Sequence, residues 1–158
     1  MTQPDTTVIT LDEFLPHSPA HVWRALTDQD APAAWFMPND FAPVVGHTFH
    51  FHRTANCDLH VSDRIRCQVL EIRDEELLSY SWTDAQYAGE LDSVVTWTLH
   101  AEGHGTRLFL EHRGFLPDDT IQQAVRTLMD GGWRVYIADR LARLLAATTS
   151  PATTEQPS

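Results

Sequence analysis

The sequence predicts an α+β fold: a curved antiparallel sheet wrapped around one long C-terminal helix, with two short helices after the first strand. Three observations carry this reading. A strand-like segment near the N-terminus is followed by two short helical stretches. From residue 46 onward a spacing of two recurs through five segments. The apolar residues of the last third, from Ile121 to Leu145, return to helical spacing. A chain of 158 residues buries roughly 70% of its unfolded surface, enough for a single domain, here expected over residues 1–147.

In chain order, residues 8–15 place Ile9, Leu11, Glu13 and Leu15 on one strand face and Thr10, Asp12 and Phe14 on the other. Ser18 then offers a helix cap, Pro19 suits the first helical position, and Val22, Trp23 and Leu26 form an apolar stripe. A second short helix is expected at 31–36, stopped by Pro38. Beyond Gly46, Phe49 and Phe51 alternate with Thr48, His50 and His52. Segments 65–72, 77–82, 94–100 and 107–112 continue as strands, separated by turn-rich 73–76, 84–89 and 102–105, so the middle of the chain reads as a meander. Asp118-Asp119-Thr120 caps the final helix, whose apolar set is Ile121, Val125, Leu128, Met129, Trp133, Tyr136, Ile137, Leu141, Leu144 and Leu145. At ~1.5 Å per residue it spans roughly 40 Å. Gly131-Gly132 in its centre signals a bend or a close approach to a strand or ligand. The Thr-, Ser-, Pro- and Gln-rich residues 148–158 read as a disordered tail. One helix cannot fill the concave face of such a sheet, so a cavity is expected between them.

All eleven basic residues are arginine against twenty-two acidic ones, a net charge of -11, which argues against nucleic acid as a partner. The absence of lysine points to a GC-rich bacterial source. Residues 1–10 contain no basic region followed by an apolar run, and no 18-residue apolar stretch occurs, so a cytoplasmic protein without a membrane span is expected. Cys57 and Cys67 lack a CxxC spacing and are read as reduced thiols.

Ser18-Pro19-Ala20-His21-Val22-Trp23-Arg24-Ala25-Leu26-Thr27-Asp28 with the downstream Trp35-Phe36 resembles the opening of a known family. The Gly46 to Phe51 strand, Leu70-Glu71-Ile72 with Leu77 to Trp82, Trp97-Thr98-Leu99, Gly105-Thr106-Arg107-Leu108, His112, Gly114-Phe115 and Gly132-Trp133 continue the likeness in order. The chain is thus similar to the activator of heat-shock-protein-90 ATPase homologue-like family of the START-like SRPBCC superfamily, whose fold is the helix-grip. The resemblance implies noncatalytic binding of a small hydrophobic molecule, aromatic, lipid or polyketide-like. It implies two other classes as alternatives: a chaperone-ATPase modulator active in stress responses, and a cyclase or hydrolase using the same cavity. A homodimer is implied by resemblance alone. Met129-Asp130-Gly131-Gly132-Trp133 also resembles the helix of proteins that protect antibiotic producers by being cleaved themselves.

The candidate ligand-binding residues are Trp35, Phe36, Trp82, Trp97, His112, Phe115, Trp133 and Tyr136, rings that the fold gathers near the sheet–helix interior. Simple core packing explains the same positions. Among nine histidines, His50 and His52 share a strand face and His60 lies on the next segment, yet the spacing is nonspecific and no metal or other cofactor is expected. Glu13 and His112 are the acid/base candidates, since both would point inward, where burial perturbs protonation. No nucleophile elbow, phosphate loop or Ser-His-Asp pattern accompanies them.

Overall fold

The computed structural model describes residues 5–28, 39–52, 64–84 and 91–148. Six strands form one sheet: β1 (Val8–Leu15), β2 (Thr48–His52), β3 (Arg64–Arg73), β4 (Leu77–Asp84), β5 (Leu91–Glu102) and β6 (Gly105–Arg113). Their spatial order is β1-β6-β5-β4-β3-β2, and every neighbouring pair is antiparallel. The expected meander is therefore β2 to β6, with the first strand returning beside the last. The expected second helix at 31–36, with Trp35 and Phe36, lies outside the described residues, as do His60 and Cys57.

Helix α1 (Pro19–Thr27) begins as its sequence dictates: Ser18 Oγ accepts a hydrogen bond from the His21 backbone N–H at 3.2 Å, and proline opens the first turn. Its buried side includes Val22, Trp23, Ala25 and Leu26. The C-terminal helix starts with α2 (Thr120–Val135), where Asp119 accepts from the Gln122 backbone N–H. It passes through a π-helical segment, Tyr136–Leu141, into α3 (Ala142–Ala147). Both ends are tied down. Arg126 donates to the Val8 and Asp5 carbonyls, and His21 Nε2 donates to Thr148 Oγ1 at 2.6 Å while that hydroxyl donates to the Leu144 carbonyl. No helix among the described residues is long and apolar enough to cross a membrane.

Two features of this helix depart from the sequence expectation. The irregular turn lies at 136–141, not at the glycine pair: a Cβ on Gly131 or Gly132 would meet nothing within 4 Å, so no close approach demands glycine there. Further, Ile121 and Leu128, assigned above to the apolar stripe, are 38% and 40% exposed, whereas polar Gln122 is 2% exposed with its Oε1 accepting from the Leu116 backbone N–H. The buried side of the helix is Gln122, Val125, Met129, Trp133, Ile137, Leu141 and Leu145, a narrower stripe than the full apolar set. Because glycine costs ~1 kcal/mol against alanine in a helix interior and no clash opposes the added methyl, Gly132→Ala should raise the calorimetric melting midpoint by about 2–4 °C.

The core lies between the concave face and this helix. Alternation holds along β5, where Leu91, Ser93, Val95, Trp97 and Leu99 turn inward, and along β6, where Thr106, Leu108, Leu110 and His112 do. Gly114 follows β6 at φ 120°, and a Cβ there would come within 2.8 Å of Ser93 Cα, so only glycine lets the chain turn this tightly. Its N–H and that of Phe115 donate to the Thr7 carbonyl, and the turn sends the Phe115 ring under the sheet.

Candidate functional site

Five of the eight residues singled out by sequence meet at one place. Trp82 comes from β4, Trp97 from β5, His112 from β6, Phe115 from the turn after it and Trp133 from α2. Register explains why: Leu78 pairs with Trp97, Trp82 with Ser93, and Val95 with His112, so alternate residues of three adjacent strands present their side chains on one face. Trp133 descends from the helix between them, its ring centroid 5.5 Å from Trp97, 5.6 Å from Trp82 and 6.1 Å from His112. Trp82 and Phe115 flank the imidazole at 5.3 and 4.9 Å. Phe51 extends the cluster from Trp82 to Tyr80 and Phe49, mostly in edge-on or tilted contacts, the arrangements aromatic quadrupoles favour. All five rings are at most 3% exposed, so they fill the sheet–helix interface.

The polar atoms inside this cluster form a chain with assignable protons. Trp133 Nε1–H can only donate, and it reaches His112 Nδ1 at 3.2 Å. That makes Nδ1 the acceptor and places the imidazole proton on Nε2, which donates to Ser93 Oγ at 2.8 Å. The Ser93 hydroxyl then donates to the Trp82 carbonyl at 3.0 Å. Burial without a counter-charge drops the His112 pKa from 6.5 to about 3, so the ring is neutral throughout the physiological range. A second pair repeats the logic: Trp97 Nε1–H donates to Tyr80 Oη at 3.0 Å, and burial holds that phenol protonated.

The serine–histidine contact has the distance of a nucleophilic dyad but not its chemistry. A catalytic imidazole receives orientation from a group that stabilises its cation, and here an indole N–H points at Nδ1 instead. The Ser93 proton is committed to a carbonyl and the side chain is 2% exposed. Ser93 was not among the sequence candidates. Its signal was a polar residue on the inward side of an otherwise apolar strand face.

The remaining candidates stand apart. Tyr136 is half-buried at the start of the π-helical segment, with the Arg140 guanidinium 5.0 Å above its ring. Glu13 does not join His112. It lines a separate cleft of about 140 Å³ between β1 and the helix, with Leu11, Asp12, Arg134, Ile137 and Ala138. His50 and His52 share their strand face as expected, with ring centroids 6.4 Å apart. No group of three or more potential metal-ligating side chains occurs among the described residues.

Comparison with known proteins follows this geometry. Residues 16–146 match the family described as Activator of Hsp90 ATPase homolog 1-like protein. A search of curated protein sequences finds no match. Among solved structures, a crystal structure of a Mesorhizobium loti protein superposes with TM-score 0.78 at 33% identity, covering 90% of this chain and 98% of that one. CalU16 from Micromonospora echinospora gives TM-score 0.67 at 25% identity over 92% and 78% of the two chains. The Aha1 dimer from Colwellia psychrerythraea gives 0.72 at 15% identity over 90% and 98%, a likeness that shows the fold. Matched over most of its length and sharing this sheet and helix, the chain belongs to the Activator of Hsp90 ATPase homolog 1-like family.

Proposed function

We propose that the protein binds a small hydrophobic molecule, aromatic or polyketide-like, between the sheet and the C-terminal helix, without catalysing its conversion. The observation that carries this reading is the concentration of Trp82, Trp97, Phe115 and Trp133 in one cluster, in which the Trp97 and Trp133 indoles are already hydrogen-bonded to Tyr80 and His112. This closely packed cluster forms an apolar floor and holds no poised acid, base or nucleophile. Phe51, at the edge of this cluster, pairs with Ile65 and bridges to Asn39, at the sheet end where Arg66 lies opposite Thr83 and Asp84 opposite Leu91. We place the ligand at that end, with Trp35 and Phe36 as further contacts and Tyr136 on the helix side. The cleft at Glu13, at about 140 Å³, falls short of the roughly 300–1,000 Å³ typical of ligand sites. Modulation of a chaperone ATPase rests on the family description alone.

The neutral fluorophore N-phenyl-1-naphthylamine tests the proposal. Saturable one-to-one binding is expected, with quenching of tryptophan emission. At a hundred times Kd, linkage stabilises the fold by about 2.7 kcal/mol, a rise in melting midpoint of about 5–10 °C for a chain of this size. Native mass spectrometry of protein from its own host should show a copurifying small molecule. A bare chain mass together with no saturable probe binding would overturn the reading.

A further inference from the structure

The two edges of the sheet are finished differently. At one, β2 is five residues long, Phe51 bridges to Asn39, and the Asp40 carboxylate accepts from the His50 backbone N–H at 2.7 Å, so residues 39 and 40 blunt it. At the other, β1 is eight residues long and pairs with β6 along its whole length, and among the described residues no strand pairs with its far side. Main-chain groups alternate in direction along such a strand. The Thr7 carbonyl accepts from the Gly114 and Phe115 N–H groups on the β6 side, whereas the Val8 carbonyl accepts from Arg126 on the helix. By that parity the N–H and C=O groups of Thr10, Asp12 and Phe14 point away from the sheet, and all three residues are exposed. A long open edge is a template for pairing, which proteins usually blunt.

We infer that the β1 edge is a docking site for an extended basic segment of another protein, which joins the sheet as a further strand and lays a side chain in the cleft beside the helix. Main-chain pairing with Thr10, Asp12 and Phe14 supplies the hydrogen bonds, the mode by which open sheet edges take up extended peptides. Arg126 closes the edge at Val8, so the docking stretch runs from Thr10 to Phe14. Side chains of the added strand that stand opposite Leu11 and Glu13 project on the same face as those two residues. On that face lies the cleft of about 140 Å³, walled by Leu11, Ile137 and Ala138 with Glu13 beside them. Ile137 and Ala138 belong to the π-helical turn. A lysine suits this cleft: its stem packs on the apolar walls and its ammonium reaches Glu13.

Charge selects the occupant. Arg107, Arg113 and Arg134 beside β1 are paired with Glu102, Glu111 and Asp130, and Arg126 is engaged by backbone carbonyls. Among the described residues no hydrogen bond or ion pair holds the Asp12 or Glu13 carboxylate, and Arg107 attracts both only through space. Asp12 lies on the outer face of the strand and Glu13 on the inner, so a basic strand is matched on both faces. A second copy of this chain would bring the same carboxylates and its own charge of -11 to the edge, and is repelled.

Fluorescence anisotropy with a labelled peptide, acetyl-Thr-Lys-Val-Lys-Val-Lys-Thr-amide, and amide hydrogen exchange read by NMR test the site on the full chain. The lysine peptide should bind saturably with Kd below about 1 mM, and the same peptide with glutamate in place of lysine at least about tenfold more weakly. The Thr10, Asp12 and Phe14 amides should exchange freely in the protein alone and slow by at least about tenfold with the lysine peptide bound. Thr10→Pro removes an outward N–H that serves no bond inside the sheet, and should abolish binding with the circular dichroism spectrum unchanged. Glu13→Gln should weaken the lysine peptide about 2–5-fold. Absence of saturable binding up to about 1 mM overturns the inference. So does binding that leaves the three amides unprotected, equal affinity for the glutamate peptide, or undiminished binding by Thr10→Pro. Protection of those amides without peptide overturns it as well: if it grows with protein concentration a second copy covers the edge, and if it does not, residues of the same chain do.

Discussion

Replacing Trp133 by alanine should lower stability to urea by about 3–5 kcal/mol while leaving the secondary-structure signal of the surviving folded protein intact. The side chain is 3% exposed and sits against Trp82, Trp97 and His112 at once. Its removal leaves a void the size of an indole, and the surrounding rings belong to three hydrogen-bonded strands that relax little. The loss has a second component, because the Trp133 N–H is the donor to His112 Nδ1. Trp133→Phe separates the two: it keeps most of the apolar volume and removes the donor, and should cost about 1–3 kcal/mol, the penalty of a buried acceptor left unpaired. A Trp133→Ala variant within about 1 kcal/mol of wild type would show that the cluster is not closely packed.

The second large effect is on pH dependence. His112 titrates at about 3 in the folded protein against 6.5 for an ordinary imidazole, because burial disfavours the cation. The unfolded chain therefore binds this proton first on acidification. The folded state keeps its full stability above pH 6.5 and loses it progressively toward pH 3, at up to about 1.4 kcal/mol per unit and about 4–5 kcal/mol in all. His17 and His21, whose pKa values burial also lowers, add slopes of the same sign. Carboxylates held low, such as Asp5 and Glu111, begin to lose their contributions only as pH nears their ordinary values of 3.8 and 4.5, so the interval from 6.5 to 5.5 isolates the histidines. Denaturant midpoints measured across that interval should fall steadily for the wild type. His112→Gln, which offers an acceptor to Trp133 and a donor to Ser93, starts from lower stability and should show a markedly shallower fall. Equal slopes in the two proteins would remove His112 as the source.

Much of the architecture was legible because the determinants are local. The alternation of Phe49 and Phe51 with polar neighbours, the Ser18-Pro19 cap and the Asp119 cap each act within a few residues, and each produced the element it signalled. The strands β3 to β6 run one to three residues past their expected ends, since pairing with a neighbour continues through residues whose own propensity is neutral. The inward set of aromatic residues was legible for the same reason: parity along a strand assigns a face.

Contacts across elements were not legible. Ser93 and His112 meet through the β5–β6 pairing and the Gly114 turn, nineteen positions apart, and nothing near either residue announces the other. Glu13 and His112 share an inward parity, yet they lie four residues apart along the β1–β6 pair, so the acid/base pairing the sequence allowed does not form. The helix shows the same division. Its amphipathic period and cap were written in the residues, but which part of the apolar arc would touch the sheet depended on how the helix crosses it. That crossing leaves Ile121, Leu128 and Val135 outside and buries Gln122. By itself the sequence determined the elements, their order and the face each side chain would take, because periodicity and caps are properties of neighbouring residues. Only the tertiary structure decided which rings touch, which proton the imidazole carries and which helix face stays exposed, because these follow from strand register and helix placement, summed over contacts distant in the chain.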